Sequence, residues 1–176
     1  MPDIVVSKEG VHALLSRIKP SKAPGPDNIT SRFLQEFSKE LALALHLIYT
    51  NSLNKADLPK DWLHARLSPV YKGGNKDRSS PESYRPISLI SICCKTFEHI
   101  IYSNVIRHLT QHNAIVDVQH GFREKRSCES QLTINDFARA LNDGQQIDSI
   151  LLDFSKAFDK VDHRKLCLKL AHYYPR

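Results

Sequence analysis

What this 176-residue chain has little of narrows its class before any motif is read. No apolar run is long enough to span a bilayer. The longest, Leu41 to Tyr49, falls far short of the roughly 20 residues a crossing helix needs. Charged and polar residues interrupt the N-terminal stretch throughout, which argues against a secretory leader and predicts an intracellular protein, nuclear or cytoplasmic. The cysteines, Cys93, Cys94, Cys128 and Cys167, show no C-x-x-C spacing. A disulfide framework and a thiolate zinc site are therefore not expected, and the thiols read as reduced and mostly buried. His108 and His112 stand at helical spacing without partnering thiols or carboxylates, so they read as solvated surface histidines. There is no internal repeat and no low-complexity segment.

Acids are also in deficit. Asp and Glu number 19 against 25 Lys and Arg, a formal charge of +6 that favours a polyanionic partner. Its distribution says more than its sum. Between His64 and Lys95 the bases Arg66, Lys72, Lys76, Arg78, Arg85 and Lys95 face only Asp77 and Glu82. Arg123, Lys125 and Arg126 cluster around Glu124. Many of these cations lie on Gly/Ser/Pro loops, where they are better placed for phosphate contact than on a helix face.

Apolar residues make up 41% of the chain, enough for a compact core. Ser7 caps a first helix with Val11, Leu14, Leu15 and Ile18 at helical spacing, ended by Pro20. Pro24-Gly25-Pro26-Asp27 forces a loop. A long helical stretch carries Phe33, Leu34, Phe37, Leu41, Leu45 and Ile48 on one stripe, with a break near Ser38. Leu58-Pro59 and Trp62 mark a short turn or helix. Residues 65–71 and 85–89 read as a hairpin whose tip, 72–83, is polar, basic and flexible around Gly73-Gly74. Residues 96–109 are amphipathic at helical period. Ser127 caps a further helix that Gly144 stops, residues 149–153 read as a short buried strand, and Asp162 caps a last helix.

The stretch with the most chemistry in it is Leu151 to His163, LLDFSKAFDKVDH. An apolar run ends in Asp153, a placement that would hold a divalent cation rigidly beside a phosphate. Phe158 follows, then Asp159 and Asp162. Taken locally, aspartates at strand ends also serve as turn formers and helix caps, and Asp159 and Asp162 read that way.

LLDFSKAFDKVDH resembles the first catalytic motif of reverse transcriptases from non-LTR, LINE-type retrotransposons, with a jockey-like branch as the nearest likeness. Three more blocks match in the same order: KAPGPDNIT (22–30), the stretch 67–101 around Tyr-Arg-Pro-Ile-Ser-Leu, and QHGFREKRSCESQL (119–132). Together they cover nearly the whole chain. The resemblance implies an α+β right-hand polymerase fold, with helix-rich fingers carrying a β-hairpin and the first strand of the palm. It divides the chain into an N-terminal helical extension (1–63), fingers (64–146) and the start of the palm (147–176). The family's second metal motif, an aromatic-x-Asp-Asp hairpin, does not occur before Arg176, so the chain reads as an incomplete domain.

The resemblance also implies roles. Asp153 and the backbone carbonyl of Phe154 hold magnesium, two ions in all, which require the absent Asp-Asp motif as well. Arg85 grips the incoming triphosphate, with Lys72 a second candidate, and Phe158 is the gate that excludes a ribose 2′-hydroxyl rather than an ordinary core phenylalanine. Arg123, Lys125 and Arg126 lie against the template–primer duplex, and Lys22 opens a loop that touches the template, unless that loop is only a rigid turn. The implied partners are an RNA template, a DNA primer and deoxynucleoside triphosphates, with no membrane and with protein partners unspecified. The implied reaction is RNA-directed DNA synthesis, with the chain inactive as it stands. The rival from another class is a non-catalytic nucleic-acid-binding remnant of a decayed element.

Overall fold

The computed structural model describes residues 1–124, 126–127, 140–146, 148, 150, 152–154 and 157–173. They form helices and one two-stranded sheet, the mixed α and β class read from the sequence. Packing divides the chain into two units, Pro2–Ile106 and Arg107–Arg176, the latter with Met1. This division follows contacts, whereas the sequence boundaries follow blocks of family likeness.

In the first unit, helix α1 (Lys8–Ser16) starts where the sequence places it. Ser7 is extended and its Oγ accepts from the Gly10 amide at 3.0 Å. Val11 and Leu15 are fully buried. The helix ends at Ser16, short of Pro20, because Arg17 N–H turns to Leu14 O (3.3 Å) and the Gln35 side chain takes Ser16 O (3.2 Å). Terminal carbonyls that find such partners let a helix stop without a proline.

The expected long helix is two, α2 (Ser31–Glu36) and α3 (Ser38–Lys55), broken at Phe37 with φ −101 and ψ 25. The buried face continues across the break at helical spacing. Leu34, Ser38, Ala42, Leu45, Tyr49 and Ser52 are buried, whereas Phe33, Phe37 and Ile48 of the expected stripe are 45%, 47% and 39% exposed. Residue 56 adopts the left-handed conformation that closes α3, with Asp57 N–H reaching Ser52 O at 3.2 Å.

Tyr49 organises the core. Its ring stacks on Phe97 (5.1 Å between centroids) and tilts against Trp62 (5.7 Å), and its hydroxyl donates to Cys93 O at 2.9 Å. Trp62 lies on a 3-10 turn, Lys60–Leu63, the short connector the sequence indicated. Phe97 and Cys93 belong to helix α4 (Ile92–Gln111), whose first turn is capped by Ser91 Oγ on Cys94 N–H (3.5 Å). Burial pushes the Cys93 and Cys94 thiols up to about 11.

Strands β1 (Arg66–Tyr71) and β2 (Tyr84–Leu89) pair antiparallel from Arg66↔Leu89 to Tyr71↔Tyr84, as the hairpin reading predicts. The loop 22–28 is clamped from two sides. Arg66 Nη2 donates to Asn28 Oδ1 (3.2 Å) and Gly25 O (3.5 Å), and Ser31 Oγ donates to Lys22 O (3.3 Å). A Cβ on Gly25 would lie 2.5 Å from Ser91 N and 2.6 Å from Ile90 C. That glycine is required by close backbone approach.

In the second unit, helix α5 (His163–Tyr173) is capped by Asp162, whose Oδ1 accepts from Lys165 N–H at 3.1 Å. The cap reading of Asp162 therefore stands. Residues 140–142 are helical and Gly144, at φ +66, stops them, its N–H bonding Leu141 O at 3.2 Å. The preceding helix expected from Ser127 falls largely outside the described residues. Of the buried strand expected at 149–153, Ser149 and Leu151 lie outside the described residues; Ile150, Leu152 and Asp153 have no strand structure, and Ile150 and Leu152 are 86% and 89% exposed. A strand needs a neighbour for its backbone hydrogen bonds. Among the described residues the only sheet is β1–β2, and it does not include Ile150, Leu152 or Asp153.

Candidate nucleotide and nucleic-acid interface

Two of the three nucleotide-binding candidates lie on the hairpin. Lys72 follows β1 directly, its N–H bonding Ser83 O at 2.8 Å, and its ammonium donates to Glu82 O at 2.5 Å. Arg85 sits opposite Val70 in β2 and is exposed. Among the described residues it has no ion-pair partner. The register thus brings both cations to the tip end of one hairpin. There Lys72 is tied to backbone, and Arg85 is exposed.

The tip, read from sequence as flexible, carries its own bracing. Tyr71 and Tyr84 pack across the strands at 5.6 Å, and their hydroxyls donate to Lys76 O (2.5 Å) and Arg78 O (2.9 Å). The Arg78 guanidinium lies over the Tyr71 ring at 5.0 Å. Ser79 gives Asp77 two hydrogen bonds, at 2.7 and 2.9 Å, which hold its carboxyl below the ordinary value.

In the second unit the Gly-Phe-Arg block meets the catalytic-motif segment. Phe122, at φ +58, sets its ring edge-on to Phe158, with centroids 5.9 Å apart. Phe158 is 75% exposed. Asp153 and Phe154 are exposed as well. Arg123 donates to Val116 O at 3.1 Å and lies 3.6 Å from Asp117, and Arg126 lies 3.9 Å from the same carboxylate. Lys125 lies outside the described residues. Asp117 is a partner that the sequence reading missed. It lies six positions before Arg123, outside the cluster around Glu124.

The donor set around Asp153 does not by itself fit a pair of magnesium ions. Each ion wants near-octahedral oxygen coordination, and two ions about 3.5–4 Å apart need several carboxylate oxygens between them. Among the described residues no three His, Cys, Asp or Glu side chains come together, and Asp162 is occupied as a helix cap.

Residues 72–175, from the hairpin to the last helix, match the family described as reverse transcriptase (RNA-dependent DNA polymerase). The chain belongs to the reverse transcriptase family. It is 33% identical over 156 residues to the probable RNA-directed DNA polymerase from transposon BS of Drosophila melanogaster, covering 88% of this chain and 17% of that protein. It is 32% identical over 171 residues to the RNA-directed DNA polymerase from mobile element jockey of Drosophila funebris, covering 96% and 19%. A probable RNA-directed DNA polymerase from transposon X-element of Drosophila melanogaster is 29% identical over 167 residues, covering 94% and 18%. The likeness to non-LTR retrotransposon enzymes read from the motifs is thereby met, jockey included. The chain spans less than a fifth of the length of these relatives. No helix among the described residues is long and apolar enough to cross a membrane.

Proposed function

We propose that this chain is the fingers and the start of the palm of a right-hand polymerase that copies retrotransposon RNA into DNA. In that reading residues 1–63 extend the fingers, 64–146 form them, and 147–176 open the palm. The observation that carries it is the family match over 72–175, which takes in the hairpin cations and Asp153 together. Arg85, without an ion pair among the described residues, binds the triphosphate, with Lys72 beside it. Phe158, steadied edge-on by Phe122, borders the sugar. Arg123, Lys125, Arg126 and Lys22 meet template and primer phosphates, contacts that position a strand without reading its bases. Asp153 and the Phe154 carbonyl contribute to a magnesium site whose other carboxylates are not among the described residues. The chain alone is then inactive, since one carboxylate does not hold two ions. It is an RNA-directed DNA polymerase by family and a binder of primed template by itself.

The test has two arms. The purified chain with primed RNA, magnesium and deoxynucleotides yields no extension product, and extension abolished by Asp153→Ala would overturn that expectation. In a longer polypeptide that includes the Asp-Asp hairpin, Asp153→Asn collapses kcat for every nucleotide alike. Phe158→Val there raises ribonucleotide use relative to deoxynucleotide use, because the barrier it removes is steric. An unaltered ratio would remove Phe158 from the sugar site.

A further inference from the structure

Helix α1, the 22–28 loop and the first turns of α4 enclose a cleft of about 480 Å³ in the first unit. Its floor is apolar: Leu14, Ile18, Ile92 and the hydrocarbon side of Thr96, whose hydroxyl is spent on Ile92 O at 2.9 Å. Its polar lining is Arg17, Lys22, Lys95 and His99, with no carboxylate. These side chains come from three separate segments that are neighbours only in the folded chain.

Each cation is steadied from its backbone and has no carboxylate on its charge. Arg17 caps α1, whose end is tied down by Gln35 on Ser16 O at 3.2 Å. Lys22 is held through its carbonyl by Ser31 Oγ at 3.3 Å. Lys95 and His99 stand one turn apart on α4, and Lys95 N–H bonds Ser91 O at 3.0 Å. Glu98, the one acid in α4, is turned toward the Cys94 thiol at 4.0 Å and does not line the cleft. Among the described residues Arg17, Lys22 and Lys95 have no ion-pair partner, although Arg32, Arg123 and Arg126 each have one. Like charges brought together over a low-dielectric floor repel one another, and a polyanion relieves that repulsion. A second cleft of about 300 Å³ shares Leu14, Arg17 and His99 and continues past Ser103 and Asn104. The two adjoin through these shared residues to make a trough whose basic part is the first cleft and whose second part is mainly apolar, lined by Val5, Val6, Val11 and Ile100.

We propose that this trough is a track for the sugar–phosphate backbone of a single nucleic-acid strand, with Arg17, Lys22 and Lys95 on its phosphates and His99 at its bend. The proposal rests on the nucleic-acid reading above and adds two cations, Arg17 and Lys95, that no motif marks. It also gives Lys22 a setting: the lysine acts with two others across a groove, beyond what a rigid turn would require.

The test is fluorescence anisotropy with the purified chain and a labelled single-stranded RNA of about 16 nucleotides, the upper range for one single-strand-binding module. Arg17→Gln with Lys95→Gln lowers affinity about tenfold at low salt. It also reduces the slope of log K against log salt by about 1.4, since each single-strand phosphate contact contributes about 0.7. Lys39→Gln with Lys55→Gln, which removes two exposed cations of α3 outside the trough, leaves the slope nearly unchanged. Equal losses in the two pairs would overturn the track, as would displacement of the RNA by duplex DNA as readily as by single strands. Photocrosslinking of 4-thiouridine RNA to the unmodified chain, mapped by mass spectrometry, gives adducts in 14–22 and 95–104. Adducts confined to 116–127 would overturn the trough while leaving the nucleic-acid reading intact, and absence of any RNA binding would overturn both.

Discussion

Gly25→Ala tests whether the Pro-Gly-Pro-Asp loop is a spacer or a packed element. At most positions the exchange is mild, and where the backbone is compatible it stabilises slightly by restricting the unfolded chain. Gly25 has no positive φ, so conformational strain plays no part. The added methyl would meet Ser91 N at 2.5 Å, Ile90 C at 2.6 Å and Ile90 O at 2.7 Å. All three are backbone atoms at the start of α4, where no rotamer change makes room. Relief requires the loop to lift from α4, which strains the Arg66 bonds to Asn28 and Gly25 and the Ser31 bond to Lys22. Overpacking typically costs about 1–3 kcal/mol, and a loosened hydrogen bond adds about 1 kcal/mol. A total of about 2–4 kcal/mol corresponds to a fall in Tm of roughly 5–15 °C for a chain of this size. Thermal and urea unfolding followed by circular dichroism measure it. Gly121→Ala is the control, because a Cβ there has nothing within 4 Å. If both variants melt within a degree or two of the parent, the close approach is wrong. RNA binding by Gly25→Ala should also weaken, since the lifted loop carries Lys22.

Three further outcomes follow from the same contacts. Tyr49→Phe removes the hydroxyl on Cys93 O and costs about 1 kcal/mol, whereas Tyr49→Ala also empties the stack on Phe97 and Trp62 and costs about 3–5 kcal/mol; urea titration separates them, equal costs would refute the aromatic stack, and a Tyr49→Phe variant as stable as the parent would refute the buried bond. Iodoacetamide at pH 8 labels exposed Cys167 far faster than Cys93 or Cys94, whose thiols burial holds at about 11 and which become reactive only as pH approaches that value or the chain unfolds; peptide mapping checks the order. Asp117→Asn frees Arg123 and Arg126 from their shared carboxylate and strengthens RNA binding at low salt by severalfold, while replacing Arg123, Lys125 and Arg126 with Gln weakens it and flattens the salt dependence by about 2 in slope; anisotropy titrations decide, and no gain from Asp117→Asn would mean the pairs do not compete with phosphate.

Local chemistry was readable from the chain alone wherever a few neighbouring residues settle it. Ser7 and Asp162 cap their helices because a side-chain oxygen two or three residues ahead of a free amide needs nothing from the rest of the protein. The hairpin from Arg66 to Leu89 follows from two apolar runs around a Gly-Gly tip, and family membership follows from the order of the motifs. Tertiary structure decided what depends on partners distant in sequence. The break near Ser38 was readable, but of the α2–α3 stripe Leu34 and Leu45 are buried while Phe33, Phe37 and Ile48 are not, because packing with α1 and α4 selects which flank of a broad apolar face is covered. Ile150, Leu152 and Asp153 read as part of an apolar strand in sequence, yet a strand forms only where another pairs with it, and these residues are not part of the β1–β2 sheet. Gly25 looked like a turn residue beside two prolines, and only the folded backbone shows that Ser91 and Ile90 leave no room for a Cβ. Arg17, Lys22, Lys95 and His99 come from three segments, so their convergence on one cleft is invisible to any motif. Hydrogen bonds between near neighbours are written in the sequence, whereas shared charge and excluded volume arise only when distant segments are brought into contact.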